Sequence, residues 1–95
     1  MSSPSPVQSE ALAQLRTQID SLDAQLLTLL NQRATVAEQV GELKRQEGTP
    51  FFRPDRVAQV IQKMQAGNAG PLQNAHVAAI WREITAYRRA VTADF

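Results

Sequence analysis

At 95 residues with a formal net charge of +1, the chain amounts to one small domain, and a broad nucleic-acid footprint is not expected of it. Hydrophobic residues make up 43% of the sequence and aromatics only 5%, which suits a helical core of Leu, Ile, Val and Ala. The absence of cysteine excludes disulfides and thiolate metal sites, and no apolar run approaches the roughly 20 residues of a membrane span.

The opening Met1-Ser-Ser-Pro-Ser-Pro lacks the basic and apolar regions of a signal peptide. It reads as a disordered lead over residues 1–8, ahead of a soluble cytoplasmic domain over residues 9–95. A first helix is expected from about Ser9, a plausible N-cap with Glu10 in the first turn, to about Gln46. Gly48, Thr49 and Pro50 stop it. Along it Leu12, Leu15, Ile19, Leu22, Leu26, Leu29, Arg33, Val36, Val40 and Leu43 alternate by three and four residues without a slip. At about 1.5 Å per residue such a helix is roughly 55 Å long, too long for the rest of a 95-residue chain to cover. The uncovered seam implies a partner helix, most simply from a second copy. An ordinary parallel coiled coil is the competing reading, but the e and g positions carry no regular charge code.

Residues Gly48 to Arg53 form a connector, and Pro54 suits the first position of a second helix. That helix carries Val57, Val60, Ile61 and Met64 on one face and ends at the Gly67-Asn68-Ala69-Gly70-Pro71 break. A third helix begins near Asn74, a possible N-cap, with an apolar stripe of Val77, Ile80, Trp81, Ile84 and Val91 and the intervening step at Tyr87 and Arg88. No internal repeat or β-alternation interrupts this order. The expected fold is all-α, one long helix plus two shorter ones, paired as an intertwined homodimer.

The cations are the informative residues. Arg33 occupies a seam position that demands an apolar side chain; a guanidinium cannot shed its proton, and burying it unpaired is costly. No Asp or Glu shares its seam, so an anionic ligand is the simplest partner. Lys44, eleven residues on, lies only about 20° from the same azimuth and roughly 16 Å along the axis. Arg16, seventeen residues before Arg33, is about 100° away and cannot converge with it on one straight helix. In an antiparallel pair it approaches the later part of the other copy. Arg53 and Arg56 stand at the entrance to the second helix, where backbone N–H groups also favour anions. Arginines grip carboxylates bidentately and a lysine acts as a movable point charge; the bland reading of each is a solvated or snorkelling side chain. Arg45 faces elsewhere and reads as solvated. His76 has no second ligand at metal spacing, and neither a glycine-rich phosphate loop nor a nucleophile elbow is present.

In order, the segments Leu15-Arg-Thr-Gln-Ile-Asp-Ser-Leu-Asp-Ala-Gln-Leu-Leu, Leu30-Asn-Gln-Arg-Ala, Val40-Gly-Glu-Leu-Lys, Phe52-Arg-Pro-Asp-Arg, Gly70-Pro-Leu and Ile80-Trp-Arg-Glu-Ile resemble the all-helical (AroQ-type) chorismate mutases. The likeness is nearest to the mutase domain of bacterial bifunctional mutase/prephenate dehydratase proteins and spans about residues 10–90. The resemblance implies an intertwined dimer that rearranges chorismate, a dicarboxylate, to prephenate on the route to phenylalanine and tyrosine. No metal or cofactor is implied. Arg33, with Arg16 of the other subunit, would grip the carboxylates. Lys44 would contact the ether oxygen and a carboxylate, Arg56 would support the site electrostatically, and the backbone around Arg53 would lie near the ring hydroxyl.

Three positions depart from the family pattern. Val57 stands where a glutamate usually accepts from the ring hydroxyl. Arg88 and Thr92 stand where a small hydroxyl residue and a Gln or Glu donor to the ether oxygen are usual. Losing one such donor costs on the order of 3 kcal/mol of transition-state stabilisation. Val57 opens the alternative of isochorismate or an amino-substituted chorismate as substrate; Arg88 and Thr92 open that of a weakly active dimerisation or regulatory module of a shikimate-pathway enzyme.

Overall fold

A computed structural model describes the backbone of residues 6–48 and 54–93 and the side chains of residues 9–48 and 55–87. It contains three helices in chain order: α1 Pro6–Glu47, α2 Pro54–Ala66 and α3 Asn74–Ala93. The all-α expectation is met, and no strand occurs among the described residues. Helix α1 starts at Pro6, three residues ahead of the expected Ser9 cap, because proline's fixed φ and missing N–H suit the first helical position. The rest of the expected lead, residues 1–5, lies outside the described residues.

Gly48 ends α1 at φ 72°, with its N–H donating to the Arg45 carbonyl at 3.3 Å. This left-handed conformation is one that side chains resist and glycine adopts freely. The chain divides into two compact units, Met1–Gln32 and Arg33–Phe95. The first is helical over its described part. There Leu12, Leu15, Ile19, Leu22, Leu26 and Leu29 are each between 48% and 59% exposed. So wide an apolar stripe is left uncovered by the rest of the chain's described residues.

In the second unit α2 packs against α3. Val57, Val60, Ile61 and Met64 are all half-buried, as the apolar spacing of α2 predicts. On α3, Val77 and Ala78 are buried and Trp81 and Ile84 half-buried, whereas Ile80 remains 41% exposed. The expected stripe is thus covered at Val77, Trp81 and Ile84, while Ile80 at its edge is exposed and Ala78 on its other side is buried. The turn between the helices is organised by Asn68. Its amide nitrogen donates to the Leu72 carbonyl and to Asn74 Oδ1, and its own Oδ1 accepts from the Gly70 N–H at 3.4 Å. Asn74 is thus not the cap that the sequence suggests. The first α3 amides, of His76 and Val77, donate to the Gln73 carbonyl at 3.0 and 3.1 Å, and the Asn74 side chain instead ties the turn together.

Candidate functional site

The C-terminal part of α1 separates two kinds of residue that a single seam cannot distinguish. Val36, Val40 and Leu43, the last aliphatic members of the seam, are exposed. Gly41 is buried, and Arg33, Ala34, Ala37 and Lys44 are half-buried. These five fall at intervals that keep them on one side of a helix. Arg33 and Lys44 therefore share a covered stripe with small residues, as their eleven-residue spacing predicts.

Arg33 has neither an ion-pair nor a hydrogen-bond partner among the described residues. A half-buried guanidinium of this kind presents five donors and a fixed charge, and an incoming carboxylate satisfies both. Lys44 takes part in a contact within the fold and supplies the second positive charge of the stripe. Arg45, by contrast, pairs with Glu42 at 3.0 Å on the exposed surface, in keeping with a solvated role.

The remaining sequence candidates are placed as follows. Arg16 is exposed on α1 within the first unit. Arg56 is exposed in the first turn of α2 beside Asp55, and Val57 belongs to the half-buried face of that helix. Arg53 lies outside the described residues. Arg88 and Thr92 are in α3, with side chains outside those described. Among the described residues no group of three or more His, Cys, Asp or Glu side chains is assembled to hold a metal ion. No described helix is long and apolar enough to cross a membrane. A shallow groove beside Ser21, Ala24, Gln25, Thr28 and Leu29 runs along one helix and contains none of the cations.

One pair escaped the sequence reading. The Tyr87 hydroxyl on α3 donates to Glu38 Oε1 on α1 at 2.6 Å. That hydrogen bond, some desolvation and the carboxylate's charge together hold the Tyr87 phenol above its ordinary value. The two residues are 49 positions apart, and no local pattern announces their meeting.

One long helix, two shorter helices and a covered stripe carrying a lysine and an arginine without a partner among the described residues make this an all-helical domain with a candidate anion site. The family model for chorismate mutase type II matches residues 15–92, and the chain belongs to that family. It is 42% identical over 80 residues to the bifunctional chorismate mutase/prephenate dehydratase of Pseudomonas aeruginosa, covering 79% of this chain and 22% of that protein. It is 34% identical over 56 residues to the chorismate mutase of Methanocaldococcus jannaschii, covering 59% of this chain and 57% of the other. The chain thus spans about a fifth of the length of the bifunctional relative. Its fold is similar to that of chorismate mutase from Thermus thermophilus, with a TM-score of 0.80 and 24% identity over 82% of this chain and 98% of the other.

Proposed function

We propose that residues 9–95 form a mutase domain that rearranges chorismate to prephenate as a homodimer. The observation that carries this reading is the covered α1 stripe, in which Arg33 has no partner among the described residues and Lys44 faces the same way, in a chain of this family. The reaction is a pericyclic shift. The ether C–O bond breaks as a C–C bond forms within one cyclic array of electrons, so no nucleophile or proton carrier is required. The protein's task is to select the folded conformer and to stabilise negative charge growing on the ether oxygen. Preorganised cations do both.

In this assignment Arg33 grips one carboxylate bidentately, and Arg16 of a second copy grips the other. Lys44 donates to the ether oxygen and a carboxylate. Arg56 adds positive potential at the N-terminus of α2, and the backbone near Arg53 meets the ring hydroxyl. Val57, Arg88 and Thr92 border the same substrate, with Val57 contributing an apolar contact where an acceptor is usual. The exposed stripe from Leu12 to Leu29 supports the second copy, because pairing two such stripes removes both from water.

Replacement of Lys44 by alanine is expected to lower kcat by roughly a hundredfold or more while KM rises far less, since charge on the ether oxygen grows only in the transition state. Steady-state kinetics on chorismate check this, with the product identified as prephenate. Equal changes in kcat and KM would remove Lys44 from the ether oxygen.

A further inference from the structure

Tyr87 and Glu38 are used by none of the chemistry above, yet they join α3 to α1, the helix that carries Arg33 and Lys44. Glu38 lies on α1 between Arg33 and Lys44, next to half-buried Ala37. Tyr87 stands one residue beyond the half-buried run Ile84, Thr85 and Ala86 of α3. At 2.6 Å the bond between them has the length of a hydroxyl donating to an ionised carboxylate. It crosses from one helix to the other, whereas Thr85 spends its hydroxyl on the Trp81 and Arg82 carbonyls of its own helix.

We infer that Tyr87 and Glu38 are positioning residues, whose hydrogen bond sets α3 against the stretch of α1 that carries Arg33 and Lys44. This inference rests on the mutase reading. Both side chains are exposed, Tyr87 by 42%, and the role inferred for them is to position the helices rather than to touch substrate. Their effect is transmitted through helix placement. Substrate capture by fixed charges tolerates a small slackening of α3, but the transition state does not, because misalignment of reacting groups falls on the chemical step. The phenol remains a donor through neutral pH, as its raised titration requires.

The test is a double-variant cycle on the full chain, assayed well below the unfolding midpoint of every variant. Tyr87→Phe and Glu38→Ala are each expected to lower kcat about fivefold with KM changed less than twofold, the size of one net hydrogen bond. The double variant should be no worse than either single, because both remove the same contact. Glu38→Gln keeps an acceptor for the hydroxyl and should restore most of the rate. A kcat unchanged in Tyr87→Phe while the wild type turns over chorismate overturns the positioning role, as do losses that multiply in the double variant. A wild type that makes no prephenate overturns the reading of function and the positioning role with it.

Discussion

Arg33→Ala is expected to abolish turnover, lowering kcat/KM by roughly a thousandfold or more, without lowering the stability of the fold. The two halves of this expectation come from one observation. Arg33 is half-buried and has no partner among the described residues, so partial removal of its charge from water is a cost to folding that a bound anion offsets. Alanine removes that cost and has the best helix propensity of any residue, so α1 persists. Removal of the guanidinium also removes the bidentate grip on a carboxylate, along with the potential that favours a second negative charge close by. Circular dichroism and thermal unfolding should therefore show a helical protein with an unchanged or raised midpoint, and kinetics an inactive one. Loss of helicity together with activity would make Arg33 a structural residue and leave the anion site without its anchor.

Mixing two inactive variants is expected to restore activity. If Arg16 serves the site of the other subunit, Arg16→Ala and Arg33→Ala damage different chains of the same site. Unfolded and refolded together, half the dimers are hybrids. In each hybrid one site receives both damaged residues and the other receives neither. About a quarter of wild-type activity should return, from two preparations that show almost none alone. The placement of Arg16 motivates the experiment: it is exposed on α1 within a stretch whose leucines are uncovered. A mixture as inactive as its components would assign Arg16 to the site of its own chain or to none.

The sequence made the helices legible because their limits are local. Pro54 opens α2, Gly48 closes α1 in a left-handed turn, and the glycine-proline break ends α2, each through backbone restrictions carried by single residues. Arg33 was legible for a similar reason, as the one cation in an apolar repeat. What the sequence obscured depends on helix rotation and on partners distant in the chain. Periodicity assigned Ile80 to the packed face of α3, but Ile80 is exposed at its edge and Ala78 is buried. The cap assigned to Asn74 gave way because Asn68 claims its side chain, and Tyr87 meets Glu38 through a pairing of helices that no spacing encodes.

The most direct test of the central claim is the loss of chorismate absorbance on addition of the purified chain, with the product identified afterwards. The assignment of Arg33 and Lys44 to a dicarboxylate undergoing rearrangement predicts saturable loss of chorismate with stoichiometric appearance of prephenate. Chorismate that persists at its uncatalysed rate, or that yields a different product, would contradict it.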